Sequence, residues 1–192
     1  MNTKDMVMAA LFAAVIAVLG LIPPIPLSFI PVPITAQTLG IMLAGSFLGR
    51  KVGTLSVLVF LALVALGTPL LSGGRGGLSV FMGPSVGYLI SWPIAAFAIG
   101  YLTEKFWDNM KVWKLIIVNF VGGVLLINII GAPLMAIMTD TSIWASITGA
   151  IAFLPGDSIK AVVAAIIAVQ LKAVSPIKKK TLVISQNMQH FN

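Results

Sequence analysis

The chain has 192 residues, of which 59% are hydrophobic and only 9% charged, with no cysteine and a formal net charge of +7; its mean hydropathy is +1.08. Soluble domains carry roughly 25% charged residues, so lipid is the solvent for most of this chain and no separate catalytic domain fits. The missing cysteine excludes a disulfide framework, a thiolate nucleophile and a cysteine zinc site. The positive charge does not mark a nucleic-acid surface, because the cations flank apolar runs instead of lining a water-facing stripe. The one histidine, His190, lies in a polar tail.

A helix needs roughly 20 apolar residues to cross a hydrocarbon core of about 30 Å. The first such run, Met6 to Ile22, follows Lys4 and reads as a retained span. No small-residue cleavage site precedes polar sequence, and Pro23, Pro24 and Pro26 lead into more apolar residues. Pro23 and Pro24, lacking amide hydrogens, end it. The uncharged loop PPIPLSFIPVPIT follows, apolar enough to tuck against protein or membrane. Spans two (Ala36 to Gly49) and three (Val52 to Gly67) are separated only by Arg50 and Lys51, which predicts a tight helical hairpin with arms of about 23 Å.

The stretch TPLLSGGRGGLSVFMGP, Thr68 to Pro84, is too flexible and polar at its centre to lie in lipid and forms a loop. Span four, Ser85 to Leu102, leads into the connection TEKFWDNMKVWK, whose Trp107 and Trp113 suit a water interface. Span five runs from Leu115 to Met138. After Thr139, Asp140 and Thr141, a short interfacial or re-entrant helix starts at Ile143, breaks at Pro155 and Gly156, and gives way to span six, Ser158 to Val174.

The expected fold is therefore an all-α integral membrane protein of six transmembrane helices, with glycine- and proline-rich outer loops covering a ligand pocket. One membrane domain spans 1–175 and a basic, polar tail 176–192. Cytoplasmic loops are enriched in lysine and arginine. With both termini inside, that side holds Lys4, Arg50, Lys51, Lys105, Lys111, Lys114, Lys172, Lys178, Lys179 and Lys180, while the other keeps only Arg75 and Lys160, balanced by Asp140 and Asp157.

Ionisable groups near spans are expensive and face partners, cavities or water. Lys160 follows Asp157 by three residues, on one face of a helix start, where the two pair with each other or with a polar ligand. The plainer alternative is that Asp157 caps the last helix and Lys160 neutralises it. Arg75 sits in SGGRGG, where Gly73, Gly74, Gly76 and Gly77 permit left-handed backbone and close approach of amides to an anion; a flexible outer loop explains the same residues. The pattern is neither a phosphate-binding Walker loop nor a dinucleotide fingerprint. Gln37, Tyr88 and Asn128 are the polar span residues placed to reach an outer cavity, although amides within hydrocarbon mostly bond across helices. Asn119, near the cytoplasmic end, is not.

Small residues recur on the first span: Ala9, Ala13 and Ala17 in one row, Ala10 and Ala14 in the next. Such rows let another helix approach closely, within the chain or from a partner. No paired carboxylates suit acid–base chemistry or metal binding in the spans, and no catalytic constellation or nucleotide motif is present. Neither catalytic nor metal-ligating residues are expected. Glu104 and Asp108, the nearest thing to an interfacial acidic cluster for an enzyme acting on lipid or prenyl substrates, lie in a lysine-rich connection and read as a charge-balanced loop.

Four stretches, AALFAAVIAV, PVPITAQTLGIMLAGSFLG, SGGRGGLSVFMGPSVGYL and FLPGDSIK, together resemble the BioY family, the biotin-specific S components of energy-coupling factor transporters. The resemblance covers roughly Met6 to Lys172. It implies a non-enzymatic, multi-pass subunit in a prokaryotic plasma membrane that captures biotin outside, without a cofactor, and docks onto a transmembrane coupling (T) protein driven by two cytosolic ABC-type ATPases. It implies docking through the alanine rows and a pocket among Gln37, Gly73, Gly74, Arg75, Gly76, Tyr88, Asn128, Asp157 and Lys160. Asp157 and Lys160 would satisfy the ureido ring as a pair, assisted by Gln37 or Asn128, with apolar walls from Phe29, Val32, Phe81 and Tyr88. Arg75, the glycine amides or Lys160 would take the carboxylate. An S component for another small vitamin, or a transporter acting alone, are the alternatives.

Overall fold

A computed structural model describes residues 2–177; Lys178, Lys179, Lys180 and His190 lie outside the described residues. Helix α1 (Thr3–Leu19) starts on a capping box in which Asn2 and Asp5 each accept the other's backbone amide. It ends one turn before the prolines. The proline-rich loop is not irregular: β1 (Ile25–Leu27) and β2 (Ile30–Ile34) form a small antiparallel hairpin. Ile30 and Val32 point inward and Pro31 outward. Two strands without a third neighbour leave edges on which prolines are tolerated, so the repeated prolines hid a strand pattern.

Helix α2 (Gln37–Ala65) contains the expected hairpin at Gly49, where φ is 79° and ψ −179°, a backbone region essentially reserved for glycine. The arms 37–48 and 50–65 fold back on each other so closely that a Cβ at Gly53 would stand 2.5 Å from the carbonyl oxygen of Ala44. Glu104 staples this corner. Its Oε1 accepts from the Arg50 amide at 2.8 Å, capping the second arm, and its Oε2 meets Arg50 Nε at 3.1 Å. Ser175 Oγ donates to the Phe47 carbonyl at 2.7 Å and closes the first arm.

Helix α3 (Val86–Lys105) is followed by a single run, Val112–Met138, made of α4 (Val112–Asn119), a π-helical stretch (Phe120–Leu125) and α5 (Leu126–Met138). The π-helical turn coincides with Gly122 and Gly123, which pack directly on Ile99 and Met42. Last come α6 (Ile143–Ala150), capped by Ser142, and α7 (Leu154–Gln170). Pro155 does not break this helix as expected. It sits in the first turn, where its missing amide costs nothing, and the 3-10 turn Ile151–Phe153 joins α6 to α7. The helix ends at Gln170, short of the expected Val174.

Among the described residues four helical stretches are long and apolar enough to cross a membrane: Gln37–Ala65, Val86–Lys105, Val112–Met138 and Ile143–Gln170. Large apolar side chains such as Leu11, Ile90, Phe97, Ile129 and Ile166 are exposed around the bundle, as a lipid-facing surface requires. The two ends of the bundle differ. Asp5, Arg50, Lys51, Glu104, Pro176 and Ile177 line one cleft, so both ends of the described chain meet there. Lys172 lies at that end too, donating to the Trp107 carbonyl at 2.8 Å and resting over its ring. At the far end of α1, about 25 Å away at 1.5 Å per residue, Gly20 packs against Leu70 and Gln37 beneath the loops of that end.

Candidate functional site

The loops at this second end close over a cavity lined by the hairpin residues Val32 to Thr35, by Gln37 and Thr38 of α2, and by Arg75 and Leu71 of the glycine loop. Ser85, Tyr88, Leu89 and Trp92 at or on α3, Ile127 of α5, Phe153 and Asp157 complete the wall. Its volume, measured at water centres, is about 50 Å³, room for a few molecules at roughly 10–15 Å³ each. Tyr88 and Trp92 stand one turn apart on the same face of α3. Gly131 makes that possible: a Cβ there would sit 2.5 Å from the Tyr88 ring, so glycine lets α5 press against the aromatic wall. Phe153 meets Tyr88 edge-on at 5.6 Å, and Phe60 supports Trp92 at 6.2 Å.

Asp157, 5% exposed, is the cavity's one carboxylate. It lies in the first turns of α7 but caps no backbone; its Oδ1 accepts from Lys160 Nζ at 2.8 Å and from Thr38 Oγ1 at 2.9 Å. Lys160 also donates to Thr35 O at 2.5 Å and Thr38 Oγ1 at 3.1 Å. An ammonium has three donors, so Lys160 is fully committed. It does not line the cavity but stands behind Asp157, tying α7 to the end of the hairpin. Asp157 Oδ2 has no protein partner among the described residues.

Five buried side-chain atoms lack partners among the described residues: Tyr88 OH, Trp92 Nε1, Ser72 Oγ, Thr103 Oγ1 and Asn128 Oδ1. Native interiors leave few such groups, and each calls for an explanation. Tyr88 and Trp92 line the cavity together with Asp157, so side chains with unmet hydrogen-bonding capacity share a mostly apolar enclosure, which is the composition of a small-molecule site. At the mouth, Arg75 is held by Ser72 O at 3.3 Å and Ser85 Oγ at 3.4 Å and has no carboxylate partner among the described residues.

The other expected residues are placed differently. Gln37 lines the cavity, but its amide is a structural cross-link: Nε2 donates to Ile16 O and Leu70 O, and Oε1 accepts from the Ser72 amide at 3.1 Å. Asn128 lies outside the cavity, bonded to Val124 O at 2.9 Å in a separate apolar crevice between α5 and α6, because the helix turns that face away from the loops. Gly73 and Gly74 adopt left-handed backbone, and a Cβ on Gly76 would stand 2.1 Å from Thr68 O. These glycines shape the loop that carries Arg75 and do not line the cavity. Of the expected apolar walls Val32 and Tyr88 are present, Phe81 packs on the core nearby, and Phe29, 68% exposed at the hairpin tip, is not part of it. Asn119, set aside on sequence, is buried between Ser46 and Ala161.

Trp92, Thr38, Thr35 and Ser85 were missed by sequence reasoning. Trp92 lies mid-span among apolar residues and carries no charge to single it out. Thr38 offered a signal, one helical residue beyond Gln37, which nothing in the sequence connects to Asp157 119 positions away. The alanine rows also divide. Ala9 and Ala13 are 1% and 3% exposed, buried in the chain's own core, and Ala17 is half-buried, whereas Ala10 and Ala14 face outward. Ala9 and Ala13 are thus packing residues within this bundle, and any outward row on α1 consists of Ala10 and Ala14.

The bundle and its loop-covered cavity define a multi-pass membrane protein built to hold a small ligand, without a metal-ligating cluster among the described residues. The BioY family model matches residues 1–177, and the chain belongs to the BioY family. It is 46% identical over 172 residues to the biotin transporter BioY of Rhizobium etli, covering 87% of this chain and 92% of that one. It is also 46% identical over 167 residues to the probable biotin transporter BioY of Bacillus subtilis, covering 87% and 89%. The fold matches a crystal structure of the S-component for biotin from an ECF-type ABC transporter, with a TM-score of 0.84 and 39% identity over 90% of this chain and 95% of that one. These relatives are transporters, not enzymes.

Proposed function

We propose that this chain is the biotin-capturing S component of an ATP-driven uptake system in a prokaryotic plasma membrane. The observation that carries this is that Asp157, bonded through Oδ1 alone, lines one cavity with Tyr88 and Trp92, whose OH and Nε1 have no partners among the described residues. Biotin's ureido ring offers two N–H donors and a carbonyl acceptor. Asp157 Oδ2 accepts one donor, and the phenol or indole donates to the carbonyl. Val32, Leu71, Leu89, Ile127 and Phe153 enclose the thiophane ring and valeryl chain, and Arg75 at the mouth meets the carboxylate. Gly73, Gly74 and Gly76 hold the loop that presents Arg75, and Lys160 holds Asp157. Biotin needs more room than a few water molecules, so the hairpin wall, Val32 to Thr35, moves outward as it enters.

In this reading the chain crosses the bilayer six times: α1, the two arms of α2, α3, the Val112–Met138 run and the Ile143–Gln170 run. The cleft containing Asp5 and Ile177 faces the cytoplasm, in keeping with the lysine and arginine bias, and the cavity faces out. The sequence carries no nucleotide-binding motif, and in this reading energy comes from a T protein and two ATPases, docked along the outward row Ala10 and Ala14. The experiment is labelled-biotin uptake by cells lacking other biotin uptake. The chain with its coupling module supports uptake, and Ala14→Leu stops it while purified protein still binds biotin. Uptake that persists without any ATPase overturns the docked reading in favour of a transporter acting alone.

A further inference from the structure

We propose that Thr38 is a positioning residue that fixes which oxygen of Asp157 is offered to the ligand. Three groups close a triangle behind the cavity wall: Thr38 Oγ1 to Asp157 Oδ1 at 2.9 Å, Lys160 Nζ to the same oxygen at 2.8 Å, and Lys160 Nζ to Thr38 Oγ1 at 3.1 Å. A hydroxyl has one proton and an ammonium is donor only, so the directions are forced. Lys160 donates to Thr38, and Thr38 must spend its proton on Asp157. With two donors on Oδ1, the carboxylate cannot rotate without breaking both bonds. Oδ2 is thereby left facing the cavity that Asp157 and Thr38 both line.

The triangle joins α2 to α7, and Lys160 adds a bond to a third segment. Thr38 is the second residue of α2, Lys160 reaches across to Thr35 O at the end of the hairpin, and Asp157 belongs to α7. Thr38 is buried and set by its helix, so it holds the carboxylate against a rigid frame, the arrangement that makes a ligand contact geometrically exact in its demand on the ligand. Without the hydroxyl, Lys160 loses one of its three acceptors and Oδ1 one of its two donors. The carboxylate is then free to turn both oxygens toward Lys160.

The choice of biotin as the ligand so oriented rests on the function proposed above; the geometry of the triangle does not. Two measurements on the detergent-purified full chain separate them. The first is biotin affinity. Thr38→Val, which keeps the shape and deletes the hydroxyl, weakens binding by about 10-fold, the scale of one hydrogen bond to a charged group. Thr38→Ser restores it to within about threefold. The second needs no ligand: the carboxylate stretch of Asp157, isolated from ¹³C-aspartate protein by subtracting the Asp157→Asn spectrum, shifts in Thr38→Val and returns in Thr38→Ser. Thr38→Ala, which deletes the same hydroxyl without adding bulk, is run alongside and shifts the band as Thr38→Val does.

An unmoved band overturns the positioning role even if affinity falls, since Thr38 then touches the ligand directly or only supports the fold. A moved band with unchanged affinity overturns it as well. If the unmodified chain binds no biotin, the functional reading fails, and the positioning role stands or falls on the band.

Discussion

Asp157 and Lys160 form a buried ion pair in which each partner depends on the other. Removing one charge from such a pair leaves the other uncompensated, at a cost of about 3–5 kcal/mol. Lys160→Met is therefore expected to lower the thermal unfolding temperature of the purified protein markedly, because Thr35 and Thr38 lose their donor along with Asp157. Trp92→Phe should behave in the opposite way. Its indole N–H has no partner within the described residues, so the phenylalanine leaves the unfolding temperature nearly unchanged while biotin affinity drops about two- to tenfold. Unaltered affinity in a titration would place the indole off the ligand. Asp157 and Arg75, which both line the cavity, stood out in the sequence because charge is conspicuous in an apolar chain. Sequence reading did not single out Trp92, which meets the cavity only once α3 is packed, nor show that the Gln37 amide, while lining the cavity, serves three backbone groups of α1 and the glycine loop.

At the level of elements, breaks were more legible than shapes. Arg50 and Lys51 between two apolar runs announced a helical hairpin, and the corner falls one residue earlier, on Gly49. There the φ of 79° and a would-be Cβ contact of 2.4 Å with Glu104 Oε1 leave room only for glycine. Gly49→Ala therefore meets both backbone strain of about 1–3 kcal/mol and a clash with the staple. Gly67→Ala, at φ 101° with nothing within 4 Å, meets strain alone. Thermal unfolding in detergent should show the larger loss for Gly49→Ala; equal losses would mean that Glu104 does not hold the corner. The prolines misled in both directions: Pro155 starts a helix where a break was expected, and the run through Pro31 and Pro33 pairs as a strand. Proline marks what a backbone cannot donate, and helix starts and strand edges need no donation there.

Across the whole molecule, the two ends divide the work. One end gathers Arg50, Lys51, Glu104 and Lys172 with both ends of the described chain, and the other carries the loops, the cavity and Arg75. This polarity was readable from charge alone, because lysine and arginine placement follows the membrane and not the tertiary fold. The cavity was not, because it is assembled from five separate stretches of chain. The absence of cysteine makes the orientation simple to test. An impermeant maleimide applied to intact cells should label Ser79→Cys, in the exposed glycine loop, and spare Lys51→Cys until the cells are opened. The reverse pattern would invert the topology and place the cavity inside.

Capture of biotin in the loop-covered cavity through the open oxygen of Asp157, as proposed, is tested most directly by equilibrium binding. Titrating the purified full chain and its Asp157→Asn variant with biotin, with thiamine and riboflavin as controls, should give saturable one-site binding of biotin alone. The substitution should weaken it by about 10- to 100-fold, as expected for a hydrogen bond to a charged group. Biotin binding of equal strength in the two proteins, or preferential binding of another vitamin, would contradict it.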